Sequence, residues 1–246
     1  MRTGNPVLQP SAFRGLPWAG AESMTLEGAV NKTLLLFVIL FATGAITWNE
    51  ALSGNPQVEG LIALGGIGGL VAAIATTFKK QWSPVLAPVY AALEGLVLGG
   101  ISAFFNAQYP GIALEAVGAT LATMAVMLVA YRTGVLRATP AFQRGVMAAT
   151  GGVLIFYLVS WVASFFLHYS LMMVGGPIGI GISLVIVGIA AFNLVLDFAV
   201  IENGVASRAP RYMEWYAGFS LMVTLVWLYI EMLRLLFRIQ EMLRES

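Results

Sequence analysis

Three acids and one arginine stand where the chain is otherwise fit for lipid. Glu94 lies in "YAALEGLVLGG", Asp197 in "NLVLDFAVIE" and Glu231 in "LVWLYIEMLRLLF", with Arg234 one turn further on. An ionised side chain at bilayer depth costs at least a few kcal/mol, and such residues mark ion and proton routes by default. Glu94 comes about ten residues into its apolar stretch, which at helical rise puts it roughly 15 Å deep, near the bilayer centre. Glu115, a few residues past the Pro110–Gly111 break, reads as interfacial. The chemistry these residues point to is proton binding and cation handling. Hard cations take oxygen ligands, so Asp197 and Glu231 are also the candidate metal contacts.

On a helical wheel Ser220, Thr224, Trp227, Glu231, Arg234 and Arg238 fall within about 60° of one line. Ser183, Asn193 and Asp197 share a face of the preceding apolar segment, with Asn193 one turn from the carboxylate. If the two faces meet, Asp197 and Glu231 can share one proton, because two close carboxylates in a low dielectric cannot both ionise cheaply. Such a pair is a pH sensor: singly protonated it ties its helices together, and fully ionised it separates them or captures a cation. Spacing resists this. The two acids are 34 residues apart and the helix breaker between them is Pro210, not the midpoint Glu214. Their depths then differ by about eight residues, roughly 12 Å, unless Arg208–Trp215 forms an interfacial segment outside the hairpin. Tyr212, Trp215 and Tyr216 favour that, since Trp and Tyr prefer the interface. Purely structural readings stand beside the functional one. Glu231 can pair with Arg234 or Arg238 on its own helix, and Glu94 can either line the same route or accept a hydrogen bond from Tyr90 one turn earlier.

The elements that must position these residues are membrane spans. With 59% hydrophobic and 10% charged residues, against about a quarter charged in soluble domains, the composition is that of an all-α integral membrane protein. Seven apolar segments approach the roughly 20 residues a spanning helix needs: Thr33–Trp48, Gly60–Phe78, Val85–Asn106, Ile112–Tyr131, Gly145–Leu167, Ile178–Asn203 and Trp215–Phe237. Residues 1–31 read as a retained polar leader and 32–246 as one helical membrane domain. Gly65 and Gly69, Gly95 and Gly99, and Gly181 and Gly188 recur at one- or two-turn spacing, which predicts close helix packing. Ten basic residues, from Arg2 to Arg211, lie before the first span or after the second, fourth and sixth, and the loops after the first, third and fifth have none. The positive-inside rule then makes the N-terminus cytoplasmic. Arg234, Arg238 and Arg244 break the pattern, so the last segment either crosses a seventh time, the reading preferred, or dips in and returns.

Several functions are excluded or disfavoured. No cysteine is present, so thiolate chemistry is out, and scattered basic residues argue against nucleic acid. An intramembrane serine protease needs a His base, and the only histidine, His168, ends the fifth span, one turn from Ser164. A zinc site of H-E-x-x-H type lacks its second His. The chain is not expected to be an enzyme and needs no cofactor, Ca²⁺ being at most a permeant ion.

The leader "NPVL", the third span "PVYAALEGLVLGGISAFF", "NLVLDFAVIENG" and "APRYMEWYAGFSLMVTLVWLYIEMLRLL" resemble the bacterial branch of the Bax inhibitor family, the YccA-like transmembrane Bax inhibitor motif proteins. The resemblance runs over essentially the whole chain. It implies a seven-helix bundle with the last helix surrounded by the others, and a pH-controlled Ca²⁺ leak whose sensor is one acid from each of the last two helices. Carried over, these fall on Asp197 and Glu231; read from the residues themselves, Glu94, Asn193, Thr224 and Arg234 are further candidates to support or line the path. In the calcium-leak members the seventh-helix acid is usually Asp, and some supply a latching Arg from the second helix, where Gly60–Phe78 has no basic residue. The resemblance also implies a bacterial cell (inner) membrane. Its partners would be lipid, Ca²⁺ and protons. A different class of function, also found among members, is a regulator that binds another membrane protein, such as a membrane-anchored protease, through the leader. Proton-coupled transport of a small solute is a third.

Overall fold

The computed structural model describes residues 23–167 and 175–245. Seven α-helices form among them: α1 (Leu26–Leu52), α2 (Gln57–Phe78), α3 (Ser83–Gln108), α4 (Ile112–Arg132), α5 (Pro140–Leu167), α6 (Gly176–Ala206) and α7 (Met213–Glu245). All seven are long and apolar enough to cross a membrane. Each predicted span lies inside one helix. The helices overrun the spans where polar residues continue the turn beyond the apolar run, most at the start of α1 and the end of α7. His168 and the leader up to residue 22 lie outside the described residues.

Breakers punctuate the chain as expected. Thr25 caps α1, accepting a hydrogen bond from the Gly28 amide at 2.9 Å, which satisfies one of the donors a helix start leaves over. Pro110–Gly111 separates α3 from α4, and Gly111 adopts the left-handed φ of 96° that other residues disfavour. α7 is unbroken over 33 residues, about 50 Å at helical rise, which leaves no room for a dip and return.

Two compact groups of helices form. One comprises α1, α2 and α3 with Ala199–Val223; the other comprises α4, α5, α6 as far as Phe198, and α7 from Thr224. In the first, α1 and α3 approach closely: a Cβ on Gly95 would strike Thr43 and the Leu40 carbonyl, and one on Gly99 would strike the Gly44 carbonyl. Gly65 of α2 meets the Leu93 carbonyl in the same way. The expectation for the sixth span fails, because nothing stands within 4 Å of a Cβ on Gly181 or Gly188; those glycines do not mediate contacts. Tyr90 of α3 packs edge-on against Phe219 of α7, ring centres 4.9 Å apart. In the second group Phe142 of α5 meets Phe192 of α6 at 5.6 Å, and Tyr131 of α4 meets Phe198 of α6 at 6.1 Å.

The last two helices are the most buried. Of their most apolar stretches 67% is buried, against 44% for the third span and 22% for α1, α2, α4 and α5. The outer helices instead leave Val38, Ile67, Leu114, Ile155 and others open, as lipid-facing surface requires. Threonines inside the spans satisfy their hydroxyls on the preceding turn, as Thr33 does on Ala29 and Thr76 on Ala72. Polar atoms with partners on another helix are therefore the informative ones.

Candidate functional site

Such partners concentrate along the seam where α5, α6 and α7 meet. At its innermost recorded point Asp197 of α6 is fully buried, and the Thr224 hydroxyl of α7 donates to its Oδ2 at 2.6 Å. One turn earlier on α6, Asn193 donates from Nδ2 to Thr150 Oγ1 of α5 at 2.8 Å and to the Ile189 carbonyl at 2.9 Å. Its Oδ1 is buried with no hydrogen-bond partner.

Further along α7, Glu231 is 2% exposed and accepts two hydrogen bonds on Oε1, each of 2.6 Å: one from the Tyr157 hydroxyl of α5, one from Arg234 Nη1. The Trp227 indole donates to the Tyr157 oxygen at 3.3 Å, and the Arg234 guanidinium lies 5.8 Å from the centre of the Tyr157 ring. A buried carboxylate needs this combination of a cation and a neutral donor to offset its desolvation. One more turn on, Arg238 donates to Ser183 Oγ and, at 2.6 Å, to the Gly179 carbonyl near the start of α6.

The register of α6 against α7 follows from two of these contacts. Asp197 meets Thr224 and Ser183 meets Arg238, and both helices advance by fourteen residues between the two. The helices therefore run antiparallel without slippage about a turn at Ser207–Tyr212, close to Pro210. No interfacial segment adds length there, since Trp215 is already in α7. Asp197 thus faces Thr224, and Glu231 sits seven residues beyond, roughly 10 Å along the helix.

The expected Asp197–Glu231 hydrogen bond is accordingly absent among the described residues. The offset that the Pro210 break implied is the one realised, and the position opposite Asp197 carries a hydroxyl, not an acid. Of the anticipated residues, Asp197 and Thr224 are brought together, Asn193 lies one turn away, and Glu231 pairs with Arg234 as its structural reading proposed. Glu94 belongs to the other helix group. It is half-buried on α3, and a Cβ on Gly69 of α2 would come within 3.3 Å of its Oε2; no hydrogen bond joins it to Tyr90. Among the described residues no group of three or more His, Cys, Asp or Glu is placed to hold a metal ion.

Two contributors were missed. Thr150 and Tyr157 come from α5, 43 and 74 residues from their partners, and only the tyrosine's polar tip in an apolar span hinted at a role. Glu214, read as no more than a chain midpoint, is 3% exposed and accepts hydrogen bonds from Thr25.

A family described as Bax inhibitor 1 like matches the chain over residues 5–241. Neither curated proteins nor solved structures return a match.

Proposed function

The chain belongs to the Bax inhibitor-1-like family, and from that premise we propose that it lets cations, Ca²⁺ first among them, leak across the membrane along the α5–α6–α7 seam, with Asp197 as the proton-sensitive control. The observation that carries this reading is the fully buried Asp197 carboxylate held by the Thr224 hydroxyl across two interior helices. An acid at such depth is costly and serves ions or protons by default. A leak needs oxygen contacts that are strong enough to admit an ion and weak enough to release it. One carboxylate, the Thr224 and Thr150 hydroxyls and the Asn193 amide oxygen match that better than a closed six- to eight-oxygen cage would.

The sign of the pH dependence follows from charge. Ionised, Asp197 attracts a cation; protonated, it offers only a neutral oxygen. Flux should therefore fall as pH falls. The gate in this reading is a single acid, not a carboxyl pair sharing a proton.

Orientation and location complete the proposal: a bacterial cell membrane, with the N-terminus and the basic loops on the cytoplasmic side. The test is Ca²⁺ entry into liposomes containing the purified protein. Flux above that of empty liposomes supports the reading, and none at any pH between about 5 and 8 removes it. A second reading is regulation of a membrane-anchored protease through the leader. Loss of a cellular phenotype on deleting the leader, with Ca²⁺ flux intact, would support it.

A further inference from the structure

One carboxylate stands among the contacts that hold the α6–α7 turn. Glu214, in the first turn of α7, is buried, and its Oε1 accepts both the backbone N–H and the hydroxyl of Thr25, each at 3.0 Å. Thr25 is also the residue that caps α1, so the starts of two helices depend on the same pair of side chains. The negative charge lies at the N-terminal end of α7, where the helix dipole favours it. Gly28 makes the arrangement possible: a Cβ there would fall on the Glu214 carboxyl. Two further contacts follow the same line. Met24 N donates to the Ala209 carbonyl, and Ser23 pairs with Pro210 in an isolated antiparallel bridge. From α3, the Ser83 hydroxyl donates to the Tyr212 carbonyl at 3.0 Å. Of the basic groups near the turn, Lys32 lies 5.0 Å from the Trp215 ring and Lys80 5.6 Å from the Tyr216 ring.

None of this is needed to make either helix. Thr25 would cap α1 without Glu214, and α7 starts on hydrogen bonds to the Pro210, Arg211 and Tyr212 carbonyls. What the carboxylate adds is a tie between segments 189 residues apart in sequence. Charge-assisted hydrogen bonds are about twice as strong as neutral ones, and the acceptor end of this one is buried.

We propose that Glu214 is the catch of a latch that fastens the chain entering α1 to the α6–α7 turn, and that this latch must open before the first turns of α7 can move away from α1. It is a conformational device separate from the Asp197 seam and holds whether or not the protein carries ions. A group acting only as a local cap would affect the start of α1 alone; a catch couples both ends of the contact.

Hydrogen exchange of the full-length protein in lipid distinguishes the two. In Glu214→Ala, exchange should quicken by about tenfold or more at Met24–Gly28 and at Met213–Gly218 together. Gly28→Ala, which expels the carboxylate while keeping it, should do the same, and Glu214→Gln, which keeps an acceptor oxygen, should do so less. The chain has no cysteine, so the pair Ser23→Cys with Pro210→Cys can be added cleanly, bridge partners being at disulfide distance. The oxidised pair should restore protection to both segments in Glu214→Ala, and reduction should remove it. Unchanged exchange in Glu214→Ala, faster exchange confined to α1, or no recovery on oxidation would each overturn the latch. Absence of Ca²⁺ flux would overturn only the channel reading.

Discussion

Asp197 and Thr224 show how one residue's identity sets a mechanism. Two acids at facing positions would share a proton and titrate in two coupled steps; an acid facing a hydroxyl has one proton to lose. Thr224→Asp should therefore turn a single-step pH–flux profile into a two-step one, measured as Ca²⁺ entry against pH. Thr224→Val leaves the Asp197 oxygen without this donor and should lower stability by about 1–3 kcal/mol, measured by thermal unfolding in detergent. Both residues are legible in the sequence, but their helical faces, and the family resemblance, pair Asp197 with Glu231. The 34-residue separation around Pro210 argues for an offset, and the Asp197–Thr224 contact has that offset. Tyr157 and Thr150 were not legible, because no local spacing joins α5 to the hairpin.

The helices were legible almost to the residue where apolar runs end at Pro or Gly, as for α3 and α4. They were not where a helix outlasts the lipid. Residues after Phe237, "RIQEMLRE", are strong helix formers with charges at helical spacing, so α7 continues to Glu245 while its apolar run stops. Small residues carried a mixed signal, since the same spacing serves contact in one helix and nothing in another. Gly95→Leu or Gly99→Val would have to displace the backbone of α1, and each should abolish or sharply reduce the yield of monodisperse protein after solubilisation. Gly181→Val and Gly188→Val meet open space and should leave both yield and melting temperature near those of the parent, within the roughly 0.5 kcal/mol typical of substitutions away from contacts.

At the scale of the whole molecule, composition points to the class and the seven apolar segments to the number of crossings, because lipid demands long apolar helices whatever the function. It could not say which helices are interior, since a core helix and a lipid-facing one look alike in hydropathy. The polar residues decide that, and they collect on α6 and α7. Seven crossings put the C-terminus opposite the N-terminus. Single cysteines placed at Arg137 or Ser207 should be labelled only from the cytoplasmic side, and one at Asn55 only from the outside, by a membrane-impermeant thiol reagent in spheroplasts. Reversed labelling would invert the charge-based orientation without disturbing the fold.

The central claim is that the proton on Asp197 controls passage of cations, and Ca²⁺ flux into proteoliposomes across about pH 5 to 8 tests it most directly, comparing the parent with Asp197→Asn. The parent should conduct less as the pH falls, and Asp197→Asn should conduct weakly with that dependence lost. A variant that kept the parent's flux and its pH profile would contradict the account.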